Sequence, residues 1–347
     1  MTHLSPRKSS AFRRPIRAVL AVTGATLALA AAPALAAPPR VITDVPVTGS
    51  LVAQVMGDLA TPETLLPAGS DPHDYQLRPS QAGALQDADL LIWVGPALTP
   101  WLDRAAGSLG TNTESLQLLA VSGVKLREYG NEAAAAHDHD HDHDHDHDHD
   151  HDHGDAGHEE GHDHSGDSEG AHVHSGTDPH AWLNPENGKI WLHAIADALS
   201  TKDPENAAIY QRNAGMAAGE IGRIEGGISA RLASARGKKF VVLHDAYGYF
   251  TERFGLEPAV AISLGDASTP SAARLREIKS ELAAVQAVCA FPEQGHDTRL
   301  IVAVTEGTAT RQGAALDPEG TALNTGPALY TELLSNLGNS LAECLSD

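Results

Sequence analysis

The chain has little cysteine: 347 residues carry two, Cys289 and Cys344. They lie far apart with no CxxC between or around them, which excludes a cysteine-rich zinc module and a dithiol redox motif. Positive charge is also short. Lys and Arg number 24 against 46 Asp and Glu, a formal net charge of −22. Such a surface repels nucleic acid and attracts cations. Long apolar runs are absent but for one, Ala18–Ala32 near the N-terminus, and about 15 residues fall short of the ~20 that span a bilayer. The HExxH string at 158–162 and the GxSxG string at 166–170 fall inside a stretch of His, Asp, Glu, Gly and Ser, without the apolar helix or the strand–turn–helix setting that the zinc-hydrolase and serine-hydrolase signatures require. No solenoid period is visible.

That single apolar run has a specific setting. Arg7, Lys8, Arg13, Arg14 and Arg17 precede it, and Ala34-Leu35-Ala36 follows as a small-x-small site. Basic, apolar, then small is the order of a secretory signal peptide, expected over residues 1–36 and cleaved on export. An uncleaved anchor is the alternative. No cysteine follows the site, which argues against lipidation. Without those five positive charges the remainder carries 19 − 46 = −27. In an oxidising compartment an isolated cysteine pair reads as one disulfide, tying the final helix to a strand in the C-terminal half. Two buried thiols are the other possibility.

Along the chain, short β-branched or apolar runs alternate with helical patterns. RVITDVP, ETLLPAG, DLLIWVG and GVKLREY read as strands, separated by GSLVAQVMGDL, RPSQAGALQDA and ALTPWLDRAAGSL as helices. Parallel β/α units follow from that alternation. The composition then collapses. Nine histidines alternate with eight aspartates from His137 to His153, and residues 137–174 hold 14 acids and no Lys or Arg. Residues 131–176 have almost nothing to bury, so this insertion is expected to be disordered without metal. Beyond it come a helix (NPENGKIWLHAIADALSTKD), a long helical stretch at 203–236 with no strand signal, and a second β/α series from 237 to a last helix at the C-terminus. The expected organisation is α/β: an N-terminal lobe at 37–202 carrying the insertion, a rigid linking helix at 203–236, and a C-terminal lobe at 237–347.

Six histidines stand outside the insertion. His3 belongs to the signal segment. His193 reads as a helix-surface residue and His296 as an exposed loop residue. The other three are placed differently. His73 lies just past a strand, His180 just before a helix, and His244 ends the strand KKFVVL. Asp-Pro-His occurs at 71–73 and again at 178–180, where the proline fixes its own φ and keeps the preceding residue extended. Open α/β sheets bind ligands beyond the carboxyl ends of their strands, so histidines from both halves can meet across a cleft. Three imidazoles suit a borderline-soft divalent ion such as zinc.

LLPAGSDPHDYQLRPSQAGALQDADLLIWVG, the acidic histidine-rich insertion, TDPHAWLNP, FVVLHDAYGYFTERFG and ALDPEGT occur in that order. Together they resemble the periplasmic zinc-binding proteins of high-affinity zinc-uptake ABC transporters, in the metal-binding branch of solute-binding proteins. The likeness runs through essentially the whole chain after the signal segment. It implies two (β/α) lobes joined by one rigid helix, zinc between them as the transported ligand, and a cognate inner-membrane permease as partner; a monomer is the default, since delivery needs a free cleft face and no coiled-coil or interface signature is visible. By position it implies His73, His180 and His244 as ligands, and it supports the Cys289–Cys344 bridge. Manganese-type relatives have glutamate where this chain has His244, which argues for zinc, as does the nitrogen-rich set. The fourth ligand stays open. Some zinc-type relatives carry an acid immediately before the first histidine, but Pro72 stands there, with Asp71 one residue further. Asp317, water or a histidine of the insertion could fill the place. Asp74, Asp178 and Asp245 are candidates to orient the imidazoles.

On this reading the insertion collects or buffers zinc through many weak sites, losing its grip below about pH 6 as histidines protonate, and the cleft is the transport site. A solubilising spacer, a periplasmic store or adhesin, and a hydrolytic three-histidine zinc enzyme are the competing readings. The enzyme lacks a recognisable general base.

Overall fold

The computed structural model describes residues 1–3, 37–108, 113–129, 176–263 and 271–346. Residues 4–36 of the expected signal peptide and 131–175 of the insertion lie outside them. Two four-stranded sheets, both wholly parallel, organise the rest. The first contains β1 (Val41–Thr43), β2 (Glu63–Thr64), β3 (Leu90–Trp93) and β4 (Glu114–Gln117) in the order β2-β1-β3-β4. The second contains β5 (Phe240–His244), β6 (Val260–Ser263), β7 (Cys289–Ala290) and β8 (Arg311–Gln312) in the order β6-β5-β7-β8. Every residue of β1, β3 and β5 is buried, as expected for parallel strands covered on both faces.

Helices α1 (Pro46–Met56), α2 (Pro79–Asp87), α3 (Pro100–Ser108) and α4 (Pro185–Lys202) flank the first sheet. Each begins with proline, whose fixed φ and missing N–H are tolerated in the first turn. Asn184 caps α4, its side chain accepting from Glu186 N at 3.0 Å,. The 25-residue α5 (Ala207–Arg231), with a 3-10 turn at either end, carries the chain to the second sheet. There α6 (Gly248–Phe254), α7 (Ala272–Val285), α8 (Arg299–Thr305) and α9 (Leu329–Leu345) complete the chain. Gly255 ends α6 in the left-handed region (φ 65°), where glycine meets no Cβ penalty.

One sequence expectation does not hold. GVKLREY, residues 123–129, stays outside the sheet, and Glu114–Gln117 is the fourth strand. Side chains satisfy the backbone of Lys125 and the N–H of Arg127, and only an isolated antiparallel bridge, Glu128 with Thr177, pairs the segment with another stretch of chain. Asn187 of α4 accepts from Lys125 N at 2.8 Å and donates to Lys125 O at 2.9 Å. Arg127 N donates to the Tyr249 hydroxyl of α6 at 2.8 Å. The apolar–polar alternation of Val124, Lys125, Leu126 and Arg127 thus gave a strand pattern to a stretch that bonds to α4 and α6,.

The lobes are not separate cores. One contiguous apolar cluster runs from Val41 and Leu51 through Trp191, Tyr210 and Ile228 to Phe240, Phe250 and Leu345. A smaller cluster with Val241, Ile278 and Ile301 lies under α7 and α8. The last helix packs on α5 and α1, and Tyr330 fits so closely over Gly188 that a Cβ there would lie 2.3 Å from its hydroxyl. Among the described residues no helix is long and apolar enough to cross a membrane.

Cys289 on β7 and Cys344 in the last turn of α9 are disulfide-bonded across 55 residues of chain. Closing a loop of that size removes denatured-state entropy worth about 4 kcal/mol. Replacing both cysteines with alanine is expected to lower the unfolding free energy by about that amount, read from urea denaturation of the metal-free protein.

Candidate metal centre

The carboxyl ends of the two sheets deliver three imidazoles to one place. His73 follows β2, His180 precedes α4, and His244 is the last residue of β5. One donor atom from each, with one carboxylate oxygen of Glu319, all lie within 4.8 Å of one another. The Nε2 atoms of His180 and His244 are 3.4 Å apart. Ring centroids are separated by 5.5 Å for His73–His180 and 5.2 Å for His180–His244. His180 and His244 are fully interior, at 0% and 2% exposure, while His73 and Glu319 are half-buried towards the opening.

Each donor is held from behind. His180 Nδ1 lies 2.8 Å from Asp178 Oδ1, and the same oxygen accepts from the His180 backbone N–H at 3.0 Å. His244 Nδ1 lies 2.7 Å from Glu293 Oε1. Carboxylates on Nδ1 settle the tautomer and leave Nε2 as the donor to a metal. The backbone under the other two donors is pinned by buried indoles: Trp101 Nε1 donates to Pro72 O at 2.8 Å and Trp182 Nε1 to Pro318 O at 2.7 Å. Asp71 Oδ1 closes the first turn by accepting from His73 N at 2.8 Å.

Charge around the centre is negative. A cavity of about 150 Å³ opens in front of it, lined among others by Asp71, Glu293, His296, Asp317 and Glu319, and by no Lys or Arg. Burial pushes the His244 imidazole down, but the charge and hydrogen bond of Glu293, helped by Glu319 and Asp245, outweigh it and bring it up to about 9. Glu293 is the mirror case. Burial alone would raise it, and the His244 charge and hydrogen bond hold it below the usual carboxylate range. Burial raises Glu319 to about 8, with the neighbouring Glu293, Asp71 and Asp317 adding to the rise against His244. Asp178 is raised to about 7 by burial, its backbone bond to His180 and the charge of Arg127 opposing the shift,.

Of the residues expected from the sequence, His73, His180 and His244 are together. Asp317 is in the same loop as Glu319 but outside the converging group. Its two oxygens accept from Thr321 N and Ala322 N, both at 2.9 Å, and so build the loop rather than face the imidazoles. Glu319 was passed over although a signal existed: Asp317-Pro318-Glu319 repeats the Asp-Pro-x pattern of 71–73 and 178–180. Among the suggested orienting acids Asp178 holds an imidazole, Asp74 is exposed, and Glu293, remote in sequence, was missed. His193 is exposed on α4. His296 is 36% exposed yet lines the cavity, its Nε2 3.5 Å from Glu293 Oε1.

Two parallel-sheet lobes sharing one core, with a nitrogen-rich cation pocket between them, place the chain in the class of metal-binding solute-binding proteins. Residues 41–344 match the family model described as the periplasmic component A of the zinc-uptake complex. The chain is 62% identical over 332 residues to the high-affinity zinc uptake system protein ZnuA of Paracoccus denitrificans, covering 96% of this chain and 98% of that one. It is 40% identical over 300 residues to the protein of the same name in Brucella suis, covering 86% and 89%. Among solved structures it resembles the periplasmic zinc binding protein TroA from Treponema pallidum, with a TM-score of 0.69 at 15% identity over 89% of this chain and all of that one. The chain belongs to the family of periplasmic components of zinc-uptake complexes.

Zinc requires the unprotonated imidazole and carboxylate. Zinc held by His244 and Glu319 would have to displace the protons that their raised values favour at neutral pH. Zinc binding near pH 7 is therefore expected to release protons, giving calorimetric enthalpies that vary with the buffer's ionisation enthalpy. Apparent affinity should rise about tenfold per pH unit for each displaced proton and level off above about 9, where His244 is already neutral. An affinity that is flat from pH 7 to pH 9 would contradict these raised values.

Proposed function

We propose that this protein captures zinc in the interlobe cleft with His73, His180, His244 and Glu319 and delivers it, as a monomer, to an inner-membrane ABC permease. The observation that carries the reading is the convergence of those four donors within 4.8 Å. Three nitrogens and one oxygen match a tetrahedral zinc set. The zinc is cargo. Delivery rather than turnover is supported by how the interior acids are used: Asp178 and Glu293 are both committed to imidazole Nδ1 atoms, so neither is poised as a general base for a metal-bound water. Family membership places the protein in the periplasm, consistent with an N-terminal signal peptide and with the disulfide.

The histidine-rich insertion then serves collection or buffering. Its ends meet at a short antiparallel neck. Glu128 bridges Thr177, and Tyr129 N donates to Gly176 O at 3.0 Å. Because the chain is already closed there, residues 130–175 can be replaced by a short glycine-containing turn. That variant is expected to keep one zinc site tighter than micromolar in a competitive chelator titration, and to lose it on His73→Ala or His244→Ala. Loss of all tight binding with the insertion would instead make the protein a zinc store.

In the same background Glu319→Gln is expected to weaken zinc about tenfold or more, by replacing an anionic oxygen donor with a neutral, weaker amide oxygen. Asp317→Asn should weaken it less, since that side chain holds its own loop.

A further inference from the structure

Arg127 lies outside the donor set, in the segment that the sequence pattern wrongly assigned to the sheet, one residue before the neck of the insertion. Its contacts join three parts of the molecule. Its carbonyl accepts from Asp178 N at 2.9 Å. Its Nε lies 4.0 Å from Asp178 Oδ2, the second oxygen of the carboxylate that holds His180. Its NH1 donates to Glu252 Oε2 on α6 at 2.8 Å. Its guanidinium carbon stands 5.8 Å from the centre of the Tyr249 ring. The Tyr249 hydroxyl closes the circuit by donating to Asp178 O at 2.8 Å while accepting from Arg127 N.

The geometry assigns Arg127 as a positioning residue: it fastens Asp178, and through it the His180 imidazole, to α6 of the opposite lobe. This inference rests on the reading of the three-histidine cleft as the zinc site. His180 and Asp178 belong to the N-terminal lobe and Glu252 and Tyr249 to the C-terminal lobe, so the second donor is set fully only when α6 is docked. Arginine suits the task because its planar fork can face two carboxylates at once, whereas lysine offers a single point charge. Gly248, the first residue of α6, makes the room. A Cβ there would lie 2.6 Å from both Nε and NH2 of Arg127. The same helix carries a second link of this kind, since Arg253 bonds both Glu225 of α5 and Glu186 of α4.

The test uses the full chain with Arg127→Ala, Arg127→Lys and Gly248→Ala, read in two ways: zinc affinity by competitive chelator titration, and the visible absorption of the cobalt(II)-substituted cleft. Gly248→Ala displaces the guanidinium while leaving its charge in place, so it remains informative if Arg127→Ala folds poorly. Expected are a roughly tenfold loss of zinc affinity in Arg127→Ala, the usual scale for a partner behind a metal ligand, and shifted cobalt bands. Partial recovery in Arg127→Lys and a loss in the same direction for Gly248→Ala are expected with it. In combination with Asp178→Asn, Arg127→Ala should add little, because both act on one imidazole. Unchanged affinity and cobalt bands in Arg127→Ala and Gly248→Ala would overturn the assignment, as would full multiplication of the Arg127 and Asp178 effects. His180→Ala separates the two claims. If it keeps tight zinc binding, the cleft reading itself fails, whatever Arg127 does.

Discussion

Everything at this centre depends on two buried carboxylate–imidazole pairs, Asp178 with His180 and Glu293 with His244. Imidazole nitrogens 3.4 Å apart in a dry interior have no reason to stay there unless something holds the far side of each ring. Burial of the acids is costly unless they are hydrogen-bonded. The two requirements answer each other: each acid finds its donor in the ring it orients. The Nε2 atoms are then directed inward before any metal arrives, so little ordering remains to oppose binding. Raised proton affinities at His244 and Glu319 are the corollary. A cation bound there would exchange with those protons.

The second constraint is mechanical. A single apolar cluster runs through both lobes by way of α4, α5 and α9, and α6 is tied across the lobe boundary by Arg253 and Arg127. Opening the lobes as rigid bodies would expose that shared core. Release by local movement is much cheaper. His73 and Glu319 are the half-buried donors, and a tryptophan bonds the proline carbonyl preceding each. The other two are interior: His244 ends β5, and His180 lies in the turn before α4 with Asp178 behind its ring.

Much of this was legible in the residues. The buried strand β3 announced itself as a continuous apolar run, DLLIWVG, whereas the start of α1 at Pro46 was hidden inside the strand-like RVITDVP. Asp-Pro-His at 71–73 and 178–180 marked two donors because the motif fixes a stiff turn, and His244 was marked by ending a strand. What escaped was set by packing. Residues 123–129 have the pattern of a strand, yet Asn187 and Tyr249 satisfy their backbone, which no local pattern records. Glu293 is 49 residues from its imidazole. The choice between Asp317 and Glu319 turned on which carboxylate the loop uses for its own N–H groups.

The central claim is that tightly held zinc lies between the imidazoles of the cleft. Anomalous diffraction at the zinc edge, on crystals of the exported chain given a single equivalent of zinc, tests it directly. The account predicts one peak at about 2.0–2.1 Å from nitrogens of His73, His180 and His244, with a Glu319 oxygen completing the set. An empty cleft with the zinc carried by the histidine-rich insertion would contradict it.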